Sequence, residues 1–126
     1  LNRILLFGVE QMLGDKVLIG CSAGAMALCE RVLLYNDDPA TGKGHSEVAL
    51  PGLGLAPGIV ALPDASARLR TGDSERMRRL AIRLQPAMCA VLDPGARLYW
   101  DGSRWTGLHA LRIRLDGARH EWERAA

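Results

Sequence analysis

Val17-Leu18-Ile19-Gly20-Cys21-Ser22-Ala23-Gly24-Ala25 joins an apolar run to a turn of small residues, and Met26-Ala27-Leu28-Cys29-Glu30-Arg31-Val32-Leu33-Leu34 follows with a helix-like pattern. Strand, sharp turn, helix is the context in which G-x-S-x-G reads as a nucleophile elbow. Gly20, Gly24 and the small Ala23 matter because such a turn is tight and strained, with little room around the serine backbone. The geometry lifts the Ser22 hydroxyl clear of the sheet and sets it at a helix N-terminus. There the backbone N–H of Ala23 can stabilise an oxyanion. The expected fold class is therefore α/β and the expected chemistry serine hydrolysis. A glycine-rich strand-to-helix turn with an inert serine is the competing reading.

Working outward, Leu1, Ile4, Leu5, Val9, Met12 and Leu13 recur at helical spacing and predict a helix over 1–13. The chain opens in mid-pattern on Leu1, which leads to the expectation that something upstream is absent. A buried strand is expected at 16–20 and a helix at 23–34, then a loop-rich segment from Tyr35 to Pro57. Gly58-Ile59-Val60-Ala61-Leu62 reads as a second buried strand. Asp73 or Ser74 caps a helix running to Leu84, and Gln85-Pro86 stops it. Ala87 to Leu92 is a third apolar strand. Beyond it, Asp101-Gly102 and Asp116-Gly117 separate short alternating runs and predict hairpins. The plan is α/β with mostly parallel central strands and a C-terminal antiparallel β meander.

At 126 residues the chain is one domain, 1–126, and 48% apolar content suits a folded globular protein. Its net charge of +2 implies no strongly acidic partner, and neither nucleic acid nor membrane is expected. The cluster Arg76, Arg78, Arg79 and Arg83 sits on a helical pattern with Glu75 and reads as a solvated helix face. Three cysteines (Cys21, Cys29, Cys89) with no C-x-x-C make neither a disulfide framework nor a redox motif, so a reducing, cytoplasmic location is expected. No His/Cys/Asp/Glu cluster has metal-ligand spacing, and neither metal nor cofactor is expected.

The string Gly20-Cys21-Ser22-Ala23-Gly24-Ala25 is followed by Asn36-Asp37-Asp38-Pro39, with Asp37 fifteen residues beyond Ser22. Further on come Gly52-Leu53-Gly54-Leu55 leading into Gly58-Ile59-Val60, the arginine-rich helix, and Leu92-Asp93-Pro94-Gly95. Over nearly its whole length the chain resembles the dipeptidase E and cyanophycinase family of serine peptidases. The most specific part is the elbow with its spacing to the Asn-Asp pair. The resemblance implies a flavodoxin-like (class I glutamine amidotransferase-like) three-layer sandwich, here partial, that cleaves small or acidic peptides. By position it implies Ser22 as nucleophile, Asp37 as the carboxylate that orients a histidine, and the Ala23 N–H as one oxyanion donor. The family's second donor lies in a glycine-rich loop upstream, and that N-terminal half of the fold has no counterpart in these residues.

The family's histidine also has no counterpart: the segment reads Leu62-Pro63-Asp64-Ala65-Ser66-Ala67-Arg68, with Asp64 most nearly in its place and Ser66 the alternative. A carboxylate with an ordinary pKa of about 4 is a poor base for a serine proton. Two versions of the family reading follow: an active hydrolase with an unusual base, or a degenerate homologue that binds a small peptide-like ligand or a partner. His45, in a glycine-bearing loop, is a substitute base on one reading and a solvent-exposed loop residue on the other. His109 and His120 read as ordinary hairpin residues, and Asn36-Asp37-Asp38-Pro39 is also good turn chemistry in its own right. An α/β-hydrolase esterase, with Asp93 and His109 or His120 completing a triad, is the alternative enzyme. A plain interaction module is the alternative of another class, with a second copy or another chain completing the sheet.

Overall fold

A computed structural model describes residues 12–14, 16–35, 37–38, 43–44 and 48–124. Apart from Met12 and Leu13, the helix expected over 1–13 lies outside the described residues, as does His45. The architecture is mixed α/β, built on a four-stranded sheet in the order β10 (Arg119–Glu121), β9 (Leu111–Ile113), β6 (Met88–Leu92), β5 (Ile59–Pro63).

Strands β5 and β6 are the two apolar runs expected as strands, and they pair in parallel from Ile59↔Met88 to Pro63↔Leu92. A parallel pair needs a crossover connection. The crossover here comprises the short helix α2 (Ala65–Arg68) and the helix α3 (Ser74–Arg83), where α1 is Ala23–Leu28. Asp73 caps α3 by accepting the Arg76 N–H at 3.0 Å. Met77, Leu80 and Ala81 recur at helical spacing and are buried. The helix ends at Arg83, three residues before Pro86, whose ring cannot continue it.

Every residue of β5 is buried, so both faces of the sheet are covered. Val60 and Leu62 pack with Met26, Leu33, Met77, Leu80, Val91 and Ile113 on one side. Ile59 and Ala61 pack with Cys29, Ala90, Ala110 and Trp122 on the other. Removing a side chain such as Leu62 from water stabilises the fold by about 1.5–3 kcal/mol.

The sheet is mixed rather than mostly parallel. Strand β9 joins β6 antiparallel, with Cys89↔Ile113 and Val91↔Leu111, and β10 joins β9 the same way through the Asp116-Gly117 turn. The expected meander therefore divides. The hairpin β7 (Arg97–Trp100)–β8 (Trp105–Leu108) forms a separate two-stranded sheet around Asp101-Gly102, while β9–β10 extends the central one. Ile113 is buried against the core of the central sheet, which gives the second hairpin a reason to dock there.

Two expectations near the elbow are overturned. The helix expected over 23–34 ends at Leu28, and Arg31–Leu34 is a strand, β1, paired antiparallel with β4 (Val48–Pro51). The last carbonyls of α1 are taken by the 52–56 segment: Leu53 donates to Ala27, Leu55 and Ala56 to Leu28, and Gly54 to Cys29, at 2.8–3.1 Å. Gly52 makes this approach feasible, because a Cβ there would sit 2.0 Å from the Cys29 carbonyl oxygen. Val32, Leu33 and Leu34 then run on in an extended ladder.

The strand expected at 16–20 is not paired to any described residue. Val17 and Ile19 are 90% and 86% exposed, so this segment is not the buried strand its composition suggested. An apolar run becomes a buried strand only when a neighbouring ladder and a covering layer exist, and among the described residues it has neither.

Candidate functional site

Ser22 stands at φ 51°, ψ −121°, a region that L-residues rarely occupy, immediately before α1. It is exposed, and its side chain makes no capping hydrogen bond to the helix. A serine before a helix ordinarily caps it. Here the backbone turns the hydroxyl away from that role. Gly24 donates its N–H to the Cys21 carbonyl at 2.8 Å and Met26 donates to the Ser22 carbonyl at 3.2 Å. The Ala23 N–H takes no backbone acceptor among the described residues.

The two glycines of the motif are not equivalent. A Cβ on Gly20 would meet Leu28 Cδ1 at 2.6 Å and the Ala25 Cα at 2.9 Å, so α1 packs directly on this backbone. A Cβ on Gly24 would meet nothing within 4 Å. Cys21 is exposed, in keeping with the open surroundings of Val17 and Ile19.

A second cluster forms where β5 and β6 end, the edge of a parallel pair at which α/β folds place their ligands. Asp64 follows β5 directly and is held in the left-handed region at φ 54°, ψ 36°. Its N–H donates to the Leu92 carbonyl at 3.0 Å, which ties the end of β5 to the end of β6. Its side chain makes no capping bond to α2 and is exposed. Ser66 donates its N–H and its hydroxyl to Asp93, just past β6, at 2.9 and 2.5 Å.

Tyr35 closes the cluster from beneath. Its hydroxyl donates to the Pro63 carbonyl at 2.5 Å, and the Arg68 guanidinium lies 5.3 Å from its ring centre while donating to its backbone carbonyl. Burial pushes the Tyr35 phenol up from its ordinary pKa; the Arg68 charge opposes this, and the Asp64 and Asp93 charges add to it. Both carboxylates thus belong to one electrostatic neighbourhood. Tyr35 was not foreseen as part of it. In sequence it only ends an apolar run, and its contact with Pro63 spans 28 residues.

Asp64, Ser66 and Asp93 are therefore brought together, while Ser22 stands on the elbow with no hydrogen bond to any of them. Asp37 lies in β2 (Asp37–Asp38), opposite Gly44 of β3 (Lys43–Gly44), and only its backbone is among what is described. Asp93 hydrogen-bonds to Ser66 rather than to a histidine, and His109 and His120 are exposed in a turn and in β10. Among the described residues no group of three or more His, Cys, Asp or Glu side chains could hold a metal ion. No helix among them is long and apolar enough to cross a membrane. Comparisons with family models, curated proteins and solved structures give no match.

Proposed function

We propose that this chain is a serine-peptidase-like hydrolase domain acting on small or acidic peptides, with Ser22 as the nucleophile and turnover weakened by the replacement of the family's histidine. The observation that carries this reading is the backbone of Ser22. A strained, exposed serine whose hydroxyl does not cap the helix, beside an N–H with no backbone acceptor among the described residues, suits a nucleophile and oxyanion donor in acyl transfer. The parallel β5–β6 pair, its helical crossover and Asp64 at its C-terminal edge support a partial flavodoxin-like sandwich behind the site.

With no imidazole in the histidine's position, binding and oxyanion stabilisation outweigh proton transfer. Peptide binding then dominates over cleavage. Asp37 takes the place of the acid member on the family's spacing. Three free cysteines support a reducing, cytoplasmic setting. The exposed Val17-Leu18-Ile19 run supports an added strand, from a second copy or another chain, that completes the sheet.

The test is intact-mass labelling by a fluorophosphonate of the chain, of Ser22→Ala and of Asp64→His. Slow labelling that vanishes in Ser22→Ala and quickens at least tenfold in Asp64→His is expected. Labelling that survives Ser22→Ala, or a folded Asp64→His chain that takes no label, overturns the reading.

A further inference from the structure

The hairpin β7–β8 carries an open strand edge. In an antiparallel pair, opposite residues alternate between exchanging their backbone bonds and turning them outward. Asp101 donates its N–H to the Arg104 carbonyl at 3.3 Å, so the bonded pairs continue as Tyr99 with Thr106 and Arg97 with Leu108. Leu98 and Trp100 belong to the alternate pairs, opposite Gly107 and Trp105. The Gly107 N–H accordingly points away from β7 and donates to the Glu123 carbonyl at 2.7 Å. On the other strand the same alternation turns the N–H and C=O of Leu98 and Trp100 outward. No backbone group among the described residues meets them there. The side chains along this edge are open too, with Tyr99 48% and Trp100 40% exposed.

Strand edges of folded proteins are usually blunted, often by charge. The outer edge of the central sheet is blunted in this way, since β10 reads Arg119-His120-Glu121 and is exposed throughout. Strand β7 carries one charge, Arg97, and then Leu98-Tyr99-Trp100. A two-stranded sheet is marginal by itself, and further strands strengthen it.

We propose that β7 pairs antiparallel with β7 of a second copy about a two-fold axis at Tyr99, giving one continuous sheet across a dimer. Hydrogen bonding selects the register, because outward-turned residues must face one another. Leu98 facing itself would bring Ala96 against Trp100, but the Ala96 N–H is already given to the Asp93 carbonyl at 2.8 Å. Trp100 facing itself would bring Leu98 against Gly102, inside the turn. Leu98 facing Trp100 satisfies every open group on both copies.

That register sets Tyr99 opposite Tyr99 and Arg97 opposite Asp101. Arg97 has no ion pair among the described residues. Asp101 commits Oδ1 to the turn, accepting the Ser103 and Arg104 N–H groups at 2.8 Å. Its Oδ2 has only the Arg104 guanidinium, at 3.6 Å, and the side chain is exposed. Opposite charges therefore meet on either side of the axis, a favourable cross-strand pairing. The interface contains neither Ser22 nor the Val17–Ile19 run, so it is independent of the hydrolase reading.

The test is sedimentation equilibrium of the full chain over a wide range of concentration. A concentration-dependent dimer is expected, weakened at least tenfold in Tyr99→Lys, which sets like charges on the axis, and in Arg97→Asp, which sets them beside Asp101. Both positions are exposed, so each variant serves if the other does not fold. Disulfide trapping reads the register in a Cys21→Ser background, where the remaining Cys29 and Cys89 are buried. Tyr99→Cys is expected to cross-link two copies on mild oxidation, and Arg97→Cys is not. A chain that stays monomeric, a dimer unchanged in either folded variant, or Arg97→Cys cross-linking as readily as Tyr99→Cys overturns the proposal.

Discussion

Ser66 gives both its backbone N–H and its hydroxyl to the two carboxylate oxygens of Asp93, at 2.9 and 2.5 Å, and so fastens the turn after β5 to the turn after β6. This clamp holds the edge on which Asp64 sits. Ser66→Ala removes the hydroxyl bond and leaves the N–H bond in place. The expected loss is about 1 kcal/mol, the usual net worth of one hydrogen bond, since exposure of this pair offsets the gain from the charged acceptor. Urea unfolding of Ser66→Ala, Asp93→Asn and the double variant checks it. A double variant equal to the sum of the singles would show that the two side chains do not act together.

The glycines of the elbow separate by substitution. Gly20→Ala forces a methyl against Leu28 and the Ala25 backbone and is expected to destabilise by roughly 1–3 kcal/mol. Gly24→Ala lies inside α1, in open space, and is expected to stabilise by about 0.5–1 kcal/mol, since alanine is the better helix former. Urea midpoints of the two variants should move in opposite directions.

Ser22→Gly relieves the φ 51° strain and is expected to raise stability by about 1 kcal/mol while abolishing fluorophosphonate labelling. Thermal unfolding alongside intact mass reads both effects. A Ser22→Gly chain less stable than the parent would mean that the hydroxyl holds the turn rather than the backbone straining to present it.

Acid stability has a source in the β7–β8 hairpin. Asp101 accepts N–H bonds from Arg104 and Ser103, which hold its carboxyl down to about 2. The folded-state pKa lies below the unfolded value, so this contribution is fully present above about pH 4 and is lost as the pH falls toward 2. The difference in urea midpoint between the parent and Asp101→Asn should therefore shrink across that window. A difference independent of pH would contradict the assignment.

Much of the frame was legible from local chemistry. Asp73, the buried spacing of Met77, Leu80 and Ala81, and the stop at Pro86 define α3 within its own residues. The apolar runs of β5 and β6 and the two Asp-Gly turns are equally local. The tight turn at Ser22 ahead of α1 was legible too, though not the strand expected before it. Asp64 and Ser66 stood out as candidates in the sequence, but the pairing of Ser66 with Asp93 did not, since it joins residues 27 apart.

What the sequence alone determined, then, is the α/β class, the capped helix α3, the core strands and the turn at Ser22, each set by periodicity, capping or backbone sterics acting over a few residues. Tertiary structure decided the rest. Arg31–Leu34 became a strand because residues 52–56 took the carbonyls that would have continued α1. Val17–Ile19 stayed exposed because no described ladder or layer meets them. Strand β9 entered the sheet antiparallel because Leu111 and Ile113 find their apolar partners on β6. In each case the deciding hydrogen bond or buried surface belongs to residues distant in the chain, and such partners come into being only when the fold does.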